Sequence, residues 1–484
     1  MKLYRQLADD FAASIRDGTL EAGVRVPSVR QLSRERGLSP ATVVHAYELL
    51  EAEGFIETRP RSGFYVSDEW RSVARPTRAA GAAANRGEAT AATNTRVPRT
   101  TRVDVSELVF QVLESVRNHD VVPLGSAFPS PTLFPLARLA RCLSTAGRQM
   151  DPWKTVDALP PGNPELRAQL ARRYLRAGAR VATEEVVVTS GALEGLNLCL
   201  QILTRPGDIV AIESPAFYGC LQAIEALRLR AIEIPTHPRD GVDVGALSRI
   251  LDKHPVRACW LMTNFQNPLG ALVPEEGKKD IVRLLEKHEV PLIEDDVYME
   301  LYFGRRRPKP AKAFDRKGLV LHCSSMSKCL APGYRIGWVA AGRFATALQR
   351  RKIMSSLSTT IPAQDAITLY LREGGYERHL AALRRELANQ QAAAVESLAR
   401  HLPPGYRLQR PEGGYFLWLE LPPGNDAIEI HARALEQGFS VAPGPIFSAQ
   451  RRFRNCLRIN TGHPWTAAFD TAVRKLGDIL RSGA

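Results

Sequence analysis

At 484 residues the chain is too long for one ordinary domain, so two or three are expected. Its 44% hydrophobic and 24% charged content is that of a globular protein, and no apolar run nears the roughly 20 residues of a membrane helix. The net charge of +14 invites a nucleic-acid reading, but residues 1–66 carry nine Lys/Arg and nine Asp/Glu, so charge alone marks no DNA face there.

Residues 67–103 hold seven arginines against three acids, and the remaining +10 lies in the long C-terminal part. The seven cysteines (142, 199, 220, 259, 323, 329, 456) are scattered without a C-x-x-C pair. That spacing argues for a reducing compartment and against a disulfide framework or a zinc site. The N-terminus, MKLYRQLADDFAASIRDG, is amphipathic and carries acids, unlike a signal or transit peptide. A cytoplasmic protein without a membrane segment is expected.

Along the chain, Leu7, Phe11 and Ile15 recur every four residues and predict one apolar face of a first helix. After the turn from Gly18 to Gly23, Ser28 is placed to cap a short second helix that Gly37 stops. Ser39-Pro40 then opens a third helix with the apolar face Val43, Ala46, Tyr47 and Leu50. Phe55–Thr58 and Phe64–Val66 read as two short strands around Arg59-Pro60-Arg61-Ser62-Gly63. Three helices and a small wing make a winged helix-turn-helix, all-α apart from its wing. Its third helix would enter the major groove, presenting Ser39, Ala41, Thr42 and His45. Arg30 is placed to meet a phosphate, and Arg59 and Arg61 to reach the DNA backbone or minor groove. A small three-helix interaction domain is the alternative. The patterns I-x-x-G, G-x-x-x-P-S-x-R-x-L and S-x-x-T-V-x-x-A-Y-x-x-L-x-x-E-G, running from Ile15 to Gly54, resemble the GntR family of bacterial regulators. Pro40 stands where many relatives carry an arginine, so one DNA contact expected of the family is missing.

The head is expected to span residues 1–68. Residues 69–104, rich in Ala, Arg, Thr and Gly, read as a flexible linker. Residues 105–484 follow as an α/β body with a large part at about 150–355 and a smaller α+β part at about 365–484. Apolar strands at Val186–Val188, Ile209–Ile212, Ala258–Met262, Pro291–Ile293 and Leu319–Leu321 alternate with helical patterns, as in a mostly parallel sheet. Reactive groups should then gather in loops at the strands' carboxyl ends.

One such loop contains Lys328, whose amine suits Schiff-base chemistry with a carbonyl cofactor. Ser325 and Arg335 are spaced to hold a phosphate on that cofactor. Thr189–Leu196 is a glycine-containing turn opening a helix, a seat for phosphate or simply a turn. Phe217 either covers a planar ring or packs. The segments Asn264–Gly270 and Glu294–Tyr298 complete the series. In this order the five loops resemble the fold-type I, class I/II aminotransferases, which are pyridoxal-phosphate enzymes. The resemblance implies that Lys328 forms the internal aldimine and Asp295 pairs with the pyridine nitrogen. Tyr298 and Asn267 would hydrogen-bond the phenolic oxygen, and Phe217 would stack on the ring. The Ala192 and Leu193 backbone, Ser325, Ser327 and Arg335 would hold the phosphate. Arg458, in Cys456-Leu457-Arg458-Ile459-Asn460, would fork a substrate carboxylate, with Asn267 beside it. Relatives often carry a tyrosine just before the stretch containing Gly162, Leu166 and Arg167; Asp157 stands near there, which puts one inter-subunit phosphate contact in doubt but not a homodimer.

Head, linker and body together resemble the MocR subfamily of regulators. The expected function is a pyridoxal-phosphate-dependent regulator of transcription, binding promoter DNA and sensing an amino acid or amine at Lys328. The alternatives are a working aminotransferase with a DNA-binding head, and a degenerate body used only to dimerise.

Overall fold

The computed structural model describes residues 3–59, 62–67, 100–115, 120–154 and 159–482. These fall into two compact units that divide at the Pro98–Arg99 junction.

The first unit has helices α1 (Leu3–Arg16), α2 (Val29–Arg36) and α3 (Pro40–Ala52), then strands β1 (Ile56–Arg59) and β2 (Gly63–Val66). The i, i+4 spacing of Leu7, Phe11 and Ile15 buries all three, with the Phe11 ring edge-on to Tyr47 of α3; Leu32, Val43 and Leu50 are buried as well. Each such side chain contributes about 2 kcal/mol through burial. Ser28 Oγ accepts from Gln31 N–H and Ser39 Oγ from Thr42 N–H, so both helix starts are capped as read. Gly37, at φ 63°, ends α2 in the left-handed region. Tyr47 is buried whole because its hydroxyl donates to Pro27 O at 2.7 Å. The wing begins one residue later than expected. Phe55 gives its N–H to Leu50 O and so closes α3, and the antiparallel ladder runs from Ile56↔Val66 to Arg59↔Gly63.

The second unit contains β3 (Thr101–Arg102), β4 (Val186–Thr189), β5 (Ile209–Ser214), β6 (Arg230–His237), β7 (Gly241–Val242), β8 (Val256–Leu261), β9 (Leu292–Asp295), β10 (Val320–Ser325) and β11 (Gly337–Ala340). Their order is β3-β6-β5-β8-β9-β10-β11-β4, with β7 paired to β6. The β6–β5–β8–β9–β10 pairs are parallel, whereas β11 lies antiparallel to both β10 and β4. Two reversals leave β4 running with β10, so β4, β5, β8, β9 and β10 all end at one edge of the sheet. Both faces are covered: Val210 and Ile212 pack with the helix Ala192–Leu203, while Ala211 between them packs with Val244–Lys253 and Glu275–Lys287.

Residues 68–99, which hold most of the expected linker, lie outside the described residues. Thr101 and Arg102 pair with Ala231 and Arg230 on the sheet edge, and Val103 and Val105 enter the core.

A smaller antiparallel sheet has β12 (Arg407–Gln409), β13 (Phe416–Glu420), β14 (Ala442–Pro443) and β15 (Cys456–Asn460) in the order β12-β13-β15-β14. Leu417, Leu419, Leu457 and Ile459 pack under the helices Tyr376–His401, Ala427–Glu436 and Ala467–Ser482. Phe416 and Trp418 alternate to the opposite face and join the large sheet's clusters. Leu124 belongs to the small sheet's core, so this part is not built from C-terminal residues alone. Among the described residues no helix is long and apolar enough to cross a membrane.

Candidate functional site

The shared strand edge gathers the loops that carry Ser190, Phe217, Asn267, Asp295 and Lys328, and β15 brings Arg458 to Asn267. Lys328 sits in the turn after β10. Its Nζ donates to Ala127 O at 2.9 Å and lies 4.1 Å from the centre of the Phe128 ring. Burial, with help from the Arg458 charge, lowers its pKa from 10.5 to about 7, although Asp295 pulls the other way. A large share of the amine is therefore unprotonated near neutral pH.

Asp295, the last residue of β9, is buried, and its Oδ1 has no hydrogen-bond partner. Burial and the adjacent Asp296 charge raise its pKa to about 7 against the opposing Lys328 and His322 charges. Asp296 is better served: its Oδ2 accepts from Asn264 Nδ2 at 2.8 Å and from His322 Nε2 at 3.0 Å. His322 Nδ1 lies 2.6 Å from Tyr174 OH, and the Tyr174 oxygen accepts from Trp338 Nε1 at 2.9 Å.

Arg458 is wholly buried. Its Nη1 donates to Asn267 Oδ1 at 3.1 Å, and its Nη2 to Gly125 O at 2.7 Å and Ser126 O at 3.1 Å. Phe416 and Phe447 flank the guanidinium at 4.2 and 5.3 Å. Nε has no partner, and among the described residues no carboxylate pairs with it. A buried guanidinium met only by neutral oxygens still lacks an anion.

Opposite these, the helix Ala192–Leu203 begins at Gly191 with no side-chain cap, leaving the first N–H groups free for an anion. Arg335 Nη1 donates to Ser327 Oγ at 3.2 Å and Nη2 to Ser190 O at 3.3 Å, and Ser325 Oγ accepts from Ser327 N–H. Gly191 has φ +88°, and a Cβ there would overlap Arg335 Nη2. The acid in this helix's first turn, Glu194, is matched by Lys352 at 3.0 Å.

The expected ligands thus converge, with Phe217 half-buried at the end of β5. Tyr298 is buried with its ring edge-on to Tyr415 and Phe416, and burial raises its pKa. Three features were not read from the sequence. Tyr415 OH donates to Ala127 O at 3.2 Å, the same carbonyl that holds Lys328. Phe128 covers the amine, and Glu213 is buried with a pKa raised to about 8 by burial and one unpartnered oxygen. Only the Gly413-Gly414-Tyr415 turn offered a local signal for Tyr415.

In the head, Arg30, Ser39, Ala41 and His45 are exposed, and Thr42 is half-buried. Ser39 and Thr42 hydroxyls bond each other at 2.8 Å. Arg59 is held by Glu57 at 2.7 Å and over the Tyr65 ring at 4.5 Å. Arg61 and Asp157 lie outside the described residues.

The residues present fit pyridoxal phosphate. The orphaned Asp295 oxygen suits a ring N–H, the uncapped helix and Arg335 suit a phosphate, and the half-deprotonated Lys328 suits an aldehyde.

The aminotransferase class I and II family profile matches residues 157–476, and that of the gntR family of bacterial regulatory proteins matches residues 3–66. The chain is 45% identical over 481 residues to YdcR of Escherichia coli, named an uncharacterized HTH-type transcriptional regulator; 99% of each chain is covered. YjiR of the same organism, named likewise, is 34% identical over 485 residues, again with 99% of each covered. Among solved structures, LysN of Thermus thermophilus, an α-aminoadipate aminotransferase complexed with N-(5'-phosphopyridoxyl)-L-leucine, is similar with a TM-score of 0.72 at 29% identity. That match covers 79% of this chain and 96% of LysN. Pyridoxal 5'-phosphate is accordingly the cofactor of the body. With a gntR-type winged-helix head ahead of a fold-type I aminotransferase body, the chain belongs to the MocR type of GntR-family transcription regulators.

Proposed function

We propose that this regulator binds pyridoxal phosphate at Lys328, reads an amino acid or amine there, and changes its hold on promoter DNA in response. One observation carries the reading: three buried groups, Lys328, Asp295 and Arg458, converge without the charged partners their burial demands. When bound, the cofactor supplies an aldehyde that condenses with amines and a ring that accepts electrons. Lys328 offers its amine in the unprotonated form. Asp295 accepts from the ring nitrogen, and Tyr298 and Asn267 meet the ring's phenolic oxygen. The Ala192 and Leu193 N–H groups, Ser325, Ser327 and Arg335 receive the phosphate. Phe217 covers the ring, and Arg458 takes the effector's carboxylate.

The head spans residues 1–68 in this reading and meets DNA through Arg30, Ser39, Ala41, Thr42, His45, Arg59 and Arg61. It works in the cytoplasm as a homodimer. Exposed apolar side chains at Phe128, Leu193 and Met354 support a second copy beside the site, since Phe128 lies on Lys328 and Leu193 on the phosphate seat. An effector shifts DNA binding only by favouring one arrangement over another through differential affinity. A promoter fragment from upstream of the chain's own gene, titrated at moderate salt with and without cofactor and candidate amines, tests this. Amine-dependent affinity is expected; no binding in any condition sinks the proposal.

The completeness of Lys328, Asp295 and Arg458 also favours a second reading, a working aminotransferase with a regulatory head. Repeated turnover of a common amino acid and a keto acid would establish it; retention of the amine on the cofactor with negligible turnover would favour the sensor.

A further inference from the structure

Behind the Asn264–Gly270 segment, whose Asn267 meets Arg458, lies a separate half-open cavity of about 680 Å³. Phe265 and Gly270 of that same segment line it, together with Leu272, Val273 and Pro411. Its walls also carry Arg239, Lys278, the Arg305-Arg306-Arg307 run, Lys309 and Arg410, against only Asp240, Glu275 and Glu412. Three of these cations are paired in place: Arg239 with Asp240 at 3.1 Å, Lys309 with Glu275 at 2.9 Å and Arg307 with Glu300 at 2.5 Å. Lys278 is not. It is 2% exposed, and its Nζ is met only by Asn264 Oδ1 at 2.5 Å and Lys309 O at 2.8 Å. Arg307 is 8% exposed; its Nη2 pairs with Glu300, but its Nε has no partner. Among the described residues, Arg305 and Arg410 have no carboxylate partner, and Arg410 Nε donates to the neutral Gln391.

Burying an ammonium that bonds only neutral oxygens, and a guanidinium nitrogen with no partner, beside open space is costly unless an anion completes them. The size is that of a small-molecule site, and the apolar wall of Phe265, Leu272, Val273 and Pro411 suits a compact organic body. We propose that this cavity is a second ligand site, distinct from the Lys328 site, for a small organic or inorganic polyanion carrying two or more negative charges, of the phosphate or polycarboxylate kind. Burial holds the Lys278 pKa down to about 8, so the ammonium is largely charged at neutral pH and available to such a ligand.

The test is calorimetric titration of the full-length, cofactor-loaded protein with citrate and, separately, with pyrophosphate, at constant ionic strength. Saturable binding of at least one probe, one per chain, is expected, and which probe binds distinguishes carboxylate from phosphate chemistry. The exposed Arg305 and Arg410 permit a fold-safe perturbation. An Arg305→Glu/Arg410→Glu variant should keep the cofactor's absorbance yet bind at least about tenfold more weakly, since two attractive charges become repulsive. Arg305→Ala/Arg410→Ala should show a smaller loss of the same sign. The proposal is overturned if neither probe binds saturably or if both arginine variants bind like the parent.

Discussion

Asp295→Asn should make the cofactor-free protein more stable while loosening its grip on the cofactor. The Asp295 carboxyl is raised from 3.8 to about 7, chiefly by burial. Below about pH 4 the group is protonated in both folded and unfolded chains and contributes no difference. As pH rises from about 4 to 7 the unfolded chain releases the proton and the folded one does not, so stability falls, then stays flat above about pH 7. At 1.36 kcal/mol per pKa unit the full penalty is about 4 kcal/mol, an upper limit. Asparagine removes it. For a body of roughly 380 residues, with an unfolding entropy of about 2.1 cal/mol/K per residue, this amounts to a Tm gain of about 5 °C. The assay is thermal unfolding of the parent and D295N proteins, stripped of cofactor, at about pH 5 and pH 8. The variant's advantage should be several degrees at the higher pH and clearly smaller at the lower. With pyridoxal phosphate added, the variant's advantage should shrink, because the variant loses a charge-assisted hydrogen bond worth about 1.5–3 kcal/mol. A Tm difference that is independent of pH, or an Asn variant that is less stable at pH 8 without cofactor, would refute the account of Asp295 as a buried charge awaiting a partner.

Lys328→Ala should leave the fold intact but release pyridoxal phosphate on exhaustive dialysis, followed by absorbance of the retained protein. Gly191→Ala should weaken cofactor binding by at least about tenfold, because φ +88° is strained for alanine and the new Cβ would overlap the Arg335 guanidinium; equilibrium titration with cofactor reads this. Arg458→Ala should abolish the response to amino acids in the DNA-binding assay while sparing a simple amine that has no carboxylate, with Arg458→Lys intermediate. Ser39→Ala should remove the α3 cap and cost about 1 kcal/mol, seen as earlier melting of the head in hydrogen exchange.

Local signals were the legible ones. Ser28, Ser39, Pro40 and Gly37 set helix ends through bonds within a few residues, so they could be read directly and stand where expected. The strand ends bearing Asp295 and Lys328 were also legible, because short apolar runs stop at polar, glycine-containing turns. What escaped was assembled across long sequence separations. Ala127 offers only a backbone carbonyl, which no side-chain pattern advertises, yet it collects both Lys328 and Tyr415. His322 sits inside an apolar strand, and only the neighbouring strand's Asp296 and the distant Tyr174 give it a role. The β6 and β11 strands were missed for different reasons. Arg230–His237 mixes charges into its run, and Gly337–Ala340 is short and begins with a glycine that fits only because it packs against Gly191. The pairing of Thr101 and Arg102, within the expected linker, was hidden too, since it depends on an edge strand more than a hundred residues away.

Two adjacent aspartates show how the body directs energy into the site. Asp296 Oδ2 is held by Asn264 and His322 while its Oδ1 has no partner, and Asp296 pushes the Asp295 pKa upward. Asp295 meanwhile faces Lys328, and Arg458 acts on Lys328 in turn; burial lowers the proton affinities of both cations. The cofactor-free site is therefore a cluster of poorly solvated groups, and each one regains free energy when a ligand atom pairs with it. Binding that favours the folded body this way stabilises it by mass action. Coupling between two sites needs only about 1–3 kcal/mol, less than the upper limit for pairing Asp295 alone. In the proposed sensor, exchanging one occupant of Lys328 and Arg458 for another would bias a linked head through the changed pairing at those two groups. It does so only where the change at Arg458 moves the β15 strand or the Gly125–Ser126 segment it holds, which makes those carbonyl contacts the place to look for the relay.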